Sequence, residues 1–104
     1  MFKSNLQDYT GAIQDYNKAI EINPNLAQAY SNRGFAKGKL QAYKDAIQDF
    51  NKAIEINPNL AQAYLDRGIA KFISGQKNNG CLDLSKAGEL GIAEAHKLIK
   101  IYCN

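Results

Sequence analysis

His96, the cysteines Cys81 and Cys103, and the recurring pair Arg33 and Arg67 are the residues whose types suit chemistry. His96 and Cys103 stand seven apart, so one helix would set them on one face, but two ligands without a third or fourth make a poor metal site. The cysteines form no C-x-x-C pair and have no ligand cluster beside them. Cys81, in an apolar helical position, reads as a small buried hydrophobe, and Cys103, one residue from the C-terminus, as an incidental thiol. Free thiols fit a reducing compartment and favour the cytoplasm. No nucleophile, base and orienting group fall into one motif, so neither catalysis nor a cofactor or metal is expected.

The core that must position these residues is modest. The chain has 104 residues, 45% hydrophobic and 22% charged, enough for one soluble domain that buries roughly two thirds of its unfolded surface. No apolar run approaches the roughly 20 residues that cross a membrane, and the opening MFKSNLQDYT lacks the apolar stretch and small-residue site of a signal peptide. A net charge of +3 is too slight for a phosphate-binding surface. Lys37, Lys39 and Lys71 would make a small basic patch, but charge on a helix face is usually solvated, so nucleic acid is not expected as a partner.

Internal repetition is the strongest signal. NKAIEINPNLAQAY runs from Asn17 to Tyr30 and returns unchanged from Asn51 to Tyr64, an offset of 51 − 17 = 34 residues. A fixed period of this size marks stacked helical units. In the unit from Ala27 to Leu60, Tyr30, Arg33, Gly34 and Lys37 fall at helical spacing, with Ala29 and Ala36 beside them. A second helix follows, with Ala46, Ile47, Phe50, Ala53, Ile54 and Ile56 on one face and Gln48, Asp49, Asn51, Lys52 and Glu55 largely opposite. The short LQAYKD turn makes the two helices antiparallel neighbours. Pro58 stops the second helix. Asn59 with Gln62, like Asn25 with Gln28, then suits a capping box for the helix that follows. Arg33 and Arg67, set against Asp15 and Asp49, predict ion pairs that knit adjacent hairpins, worth about 0–1 kcal/mol each if exposed.

Tyr30, Gly34, Ala36, Tyr43, Ala46, Phe50, Ala53 and Pro58 together give a pattern that resembles the tetratricopeptide repeat family. The likeness runs back through Tyr9, Ala12, Tyr16, Ala19 and Pro24, and forward through Tyr64, Gly68 and Ala70. It implies an all-α solenoid of antiparallel helical hairpins, a right-handed superhelix in one domain. Residues 1–26 would be a truncated repeat, 27–60 a complete repeat, 61–91 a degenerate repeat and 92–104 a capping helix. Aligned by the period, Leu6 meets Leu40 and Gln7 meets Gln41, so the first unit starts halfway. Ala12, Tyr16, Ala19 and Ile20 then form a face open to self-association in a homodimer or to the rest of a longer array; a sequence constructed from consensus units is a third explanation. Toward the other end Gly80 replaces alanine, and Gly91 suits a left-handed helix ending. Ile92, Ala95, Leu98, Ile99 and Tyr102 make one apolar stripe, with Glu94, Lys97 and Lys100 on the polar face. His96 falls, two residues out of strict period, at the packing position of Tyr30 and Tyr64.

The resemblance also implies that the first helices of the hairpins line a concave groove that holds a peptide or a partner protein's helix. The expected lining is Gln28, Ser31, Asn32, Phe35 and Lys39 in one unit and Gln62, Leu65, Asp66, Ile69, Phe72 and Ile73 in the next. From Ser31/Leu65 through Phe35/Ile69 to Gly38/Phe72 and Lys39/Ile73 the side chains become larger and more apolar, which suits an apolar peptide anchor. Packing of Leu65, Ile69 and Phe72 against the C-terminal helix or an oligomer neighbour is the equal alternative. The family's clamp for the terminal carboxylate of a heat-shock chaperone is not expected. Asn32 matches it, but Gln62 stands where a lysine is wanted and Asp66 where an arginine is wanted, and an acid there repels a carboxylate.

Overall fold

The computed structural model describes residues 6–103, which form six helices and no strand: α1 Leu6–Ile22, α2 Ala27–Lys39, α3 Tyr43–Ile56, α4 Ala61–Ile73, α5 Lys77–Glu89 and α6 Ala93–Tyr102. Residues 1–5 and Asn104, with the side chains of Leu6 and Gln7, lie outside the described residues, and so does the part of the sequence reading that rests on them. Each helix packs on the next in chain order, and α2 also touches α4. Such local order is what a short repeat must make, because one hairpin cannot bury its own faces and its neighbours can.

Helices α2 and α3 form one hairpin and α4 and α5 the next, and glycine sits where they cross. A Cβ at Gly34 would lie 2.9 Å from the Phe50 ring and 3.1 Å from the Ala46 carbonyl oxygen; one at Gly68 would lie 2.8 Å from the Gly80 carbonyl oxygen. Only bare backbone fits so close. Each hairpin turn, and the turn into α6, reverses on one left-handed residue: Gln41 at φ 66°, Gly75 at 92° and Gly91 at 106°. The amide that follows donates back into the finished helix, Ala42 to Lys37 at 2.9 Å, Gln76 to Lys71 at 2.8 Å and Ile92 to Ala87 at 3.0 Å.

Between hairpins the chain departs from expectation. Helices α2 and α4 start at Ala27 and Ala61, their cap positions are Leu26 and Leu60, and no side chain caps them. Asn25 and Asn59 therefore fall one residue outside the place a capping box needs. Their amides donate instead to Asn23 Oδ1 and Asn57 Oδ1 at 3.1 Å, an asparagine turn ahead of each proline. Gln28 and Gln62 reach forward, not back, donating to Asn32 and Asp66 at 3.0 and 3.1 Å.

Two apolar clusters hold the stack. Ala46, Phe50 and Ala53 of α3 meet Ala63 and Ala70 of α4 in the first, while Tyr64, Leu65, Leu84, Ala87 and Ala95 join α4, α5 and α6 in the second. Cys81 and Cys103 are not free thiols: a disulfide joins them, with Cα atoms 5.9 Å apart. The return of α6 along α5 brings the two together, which their separation of 22 residues in the chain conceals.

Candidate functional site

Arg33 grips Asp49 with both Nε and Nη2, at 2.9 and 2.7 Å, while its Nη1 donates to Asn17 Oδ1 of α1 at 2.8 Å. Arg67 repeats the arrangement with Asp83 at 2.8 Å twice and Asn51 of α3 at 2.8 Å. Lys37 and Lys71 add to the same carboxylates at 3.2 and 3.3 Å. The ion pairs thus close each hairpin on itself, Arg33 with Asp49 and Arg67 with Asp83; Asp15 takes no part, and the link to the preceding hairpin is the asparagine bond. Helical periodicity put Asp49 on the polar face, but Asp49 and Asp83 are only 5% and 6% exposed, facing the arginine across the hairpin. Such forked, charge-assisted bonds are the strong ones. The hydrogen bond to Asp49 holds the Arg33 guanidinium above its ordinary pKa, against the opposing effect of burial. Of the three lysines, Lys37 and Lys71 are thus paired with carboxylates, and exposed Lys39 lies over the Phe35 ring at 5.2 Å.

A cavity of about 270 Å³ lies between α2, α3 and α4. Gly34, Phe35, Gly38 and Lys39 come from α2, Tyr43 and Phe50 from α3, and Asp66, Ile69, Ala70 and Ile73 from α4. Gly38 opens it, because a Cβ there meets nothing within 4 Å. One period later Phe72 stands at that position, its ring edge-on to Tyr102 with centroids 5.3 Å apart. Phe35 and Ile73, 45% and 54% exposed, edge the cavity, and Ile69 is half-buried in its wall. Asp66 adds charge to the wall. Burial pushes its pKa up, the hydrogen bond from Gln62 pulls it down, Glu94 raises it and Lys39 lowers it, with a net rise.

The cavity thus gathers Phe35, Lys39, Asp66, Ile69 and Ile73 of the expected lining. Gln28 and Gln62 are exposed and Asn32 is half-buried. Ser31 and Leu65 are 2% and 3% exposed and are not among the residues that line the cavity. Leu65 packs with Leu84, Ala87 and Ala95. Packing against the C-terminal segment therefore involves all three residues of the alternative, Leu65 within the cluster, Ile69 against it, and Phe72 through Tyr102. On α1, Ala12, Tyr16, Ala19 and Ile20 are all half-buried. Exposed His96 lies against Gly88, where a Cβ would sit 2.8 Å from its ring. Among the described residues no three His, Cys, Asp or Glu side chains are grouped to hold a metal ion, and no helix is long and apolar enough to cross a membrane.

Stacked hairpins at a 34-residue period, crossed on glycine and locked by arginine, define an α-solenoid of helical repeats. The TPR repeat family model matches residues 5–41 and the Tetratricopeptide repeat model residues 27–60, together more than half of the sequence, and the chain belongs to the tetratricopeptide repeat family. Among solved structures it is similar to the first TPR of Spaghetti (RPAP3) bound to HSP90 peptide SRMEEVD, at 26% identity and TM-score 0.88, over 93% of this chain and 79% of that one. It is also similar to the TPR2B-domain:pHsp70 complex of yeast Sti1, at 29% identity and TM-score 0.84, over 93% and 82%. The Arabidopsis OM64 TPR domain matches at 28% identity and TM-score 0.88, over 92% and 81%. No curated protein matches the sequence.

Proposed function

We propose that this chain is a non-catalytic protein-interaction module that takes a peptide along the groove between α2 and α4. An apolar side chain of the peptide enters the cavity beside Gly38, and a cationic group next to it faces Asp66. The opening at Gly38 carries this reading, since the neighbouring unit fills the same position with Phe72. An apolar cavity of about 150 Å³ already admits benzene, and burying one Leu or Phe side chain contributes about 1.5–3 kcal/mol.

The first TPR of Spaghetti and the TPR2B domain of yeast Sti1 were each solved with chaperone material, the former with SRMEEVD. This chain keeps Asn32 but has Gln62 and Asp66 where a carboxylate clamp wants lysine and arginine. Asp66, with Glu94 near enough to raise its pKa, disfavours an acidic group on the α4 side of the groove, opposite Lys39 of α2 in the same lining. A direct test is fluorescence anisotropy with labelled seven-residue peptides carrying one leucine flanked by lysines or by glutamates. The lysine-flanked peptide should bind at least tenfold tighter, and Gly38→Leu should abolish that binding while raising the melting temperature. Preference for SRMEEVD, or full binding by Gly38→Leu, contradicts the reading.

A further inference from the structure

Helix α6 is held differently from α2 to α5. Ala95 is its one buried residue, where each of those four helices buries four or five. The arginine locks end at Asp83 of α5, because α6 contains no arginine. A helix of 10 residues is marginal in water without tertiary support. That support is anchored at both ends. The chain enters α6 through Gly91, left-handed at φ 106°, and leaves it at Cys103, which is bonded to Cys81 in α5. Beside the bond, Tyr102 stands edge-on to Phe72 of α4, while Leu98, Ile99 and Cys103 lie partly buried against the second apolar cluster. Both cysteines are half-buried, so solvent reaches the disulfide, and the chain has no other cysteine with which it could exchange.

We infer that the Cys81–Cys103 disulfide is a redox latch: a dithiol reductant opens it, and α6 then detaches from α4 and α5 about Gly91, parting Tyr102 from Phe72. The inference does not depend on the groove reading. A thiolate of the reductant attacks one cysteine sulfur and breaks the S–S bond, and the other cysteine leaves as a thiolate that takes up a proton. The second thiol of the reductant then displaces the first cysteine in the same way. Two electrons and two protons pass to the chain, which ends with two thiols while the dithiol ends as a disulfide. Opening is local, since the Arg33–Asp49 and Arg67–Asp83 locks do not involve α6. Release uncovers the Phe72 ring with the apolar sides of Leu98 and Ile99, so the chain presents one surface in an oxidising compartment and another in a reducing one.

The test is amide hydrogen exchange followed by NMR on the full chain, oxidised and then treated with dithiothreitol, with no denaturant. Reduction should speed exchange over Leu98 to Tyr102 by at least about tenfold while α2 and α3 change by less than about twofold. The cross-relaxation between the Tyr102 and Phe72 rings should vanish, and reoxidation should restore it. Replacing both cysteines, Cys81→Ser with Cys103→Ser, should give the released pattern without reductant. Tyr102→Ala, which keeps the bond, should keep α6 protected. A disulfide that yields to dithiothreitol only once the chain is unfolded overturns the inference, as does an α6 that reduction leaves protected. So does an α3 that speeds up by the same factor as α6, because the bond would then brace the whole fold, or a Tyr102→Ala variant that releases α6 as fully as reduction does.

Discussion

The unit 27–60 and the one that follows it close their hairpins with the same lock, yet present different concave surfaces. Arg33 with Asp49 and Arg67 with Asp83 agree to within about 0.1 Å in their forked bonds. Gly38 opens a cavity where Phe72 packs on Tyr102, and Ala46 under Gly34 gives way to Gly80 under Gly68. Arginine, aspartate and the first-helix glycine are shared and fix how the helices stack, while Gly38 and Phe72 make the surfaces of α2 and α4 differ.

The widest break in this comparison comes from the shared part. Asp49→Ala and Asp83→Ala each leave an arginine and a lysine beside an empty, largely buried position, so each should cost about 3 kcal/mol in denaturant unfolding. Equal losses are predicted, and a difference well beyond 1 kcal/mol would show that the two locks are not equivalent. Restoring the alanine of the first unit at the second crossing is next. Gly80→Ala adds helix propensity, but its Cβ would lie 2.7 Å from the Gly68 carbonyl oxygen and 3.0 Å from the Phe72 amide nitrogen. Backbone atoms cannot yield there, so a loss of about 2 kcal/mol should appear as a lower melting temperature.

The turns sharpen the comparison in the opposite direction. Gln41 holds the left-handed conformation that glycine takes at position 75. Gln41→Gly should therefore stabilise the chain by about 0.5–1 kcal/mol, read from the midpoint of urea unfolding. The smallest effect is in pH. Burial raises the Asp66 pKa, so between its ordinary and folded values the folded chain holds a proton that the unfolded chain has lost. Stability from this group rises as pH falls through that window and is lost as pH rises through the folded value, a slope that Asp66→Asn should remove from a melting-temperature profile.

The repeat period, the stacked helices and the glycine crossings were legible in the sequence because each is a local pattern copied at fixed spacing. The difference between Gly38 and Phe72 was visible too, though only packing shows that one opens a cavity and the other meets Tyr102. What escaped depended on three dimensions. Asp49 sits on a face that helical periodicity calls polar, and only the arginine sixteen residues back in the chain explains its burial. Cys81 and Cys103 belong to different helical registers until α6 folds back, and Gln41 gives no glycine signal for its left-handed turn. The family resemblance places Ser31 and Leu65 in the groove, but packing buries both side chains, which no single helix reveals.

The most direct test of the claim that recognition lies where the units differ is an amide and methyl NMR titration of the full chain with the lysine-flanked leucine peptide, repeated on Gly38→Phe. The account predicts shifts centred on Phe35, Ile69 and Ile73 that vanish in Gly38→Phe while the signals of α5 and α6 stay in place. Shifts that persist in Gly38→Phe, or that gather away from α2 and α4, would contradict it.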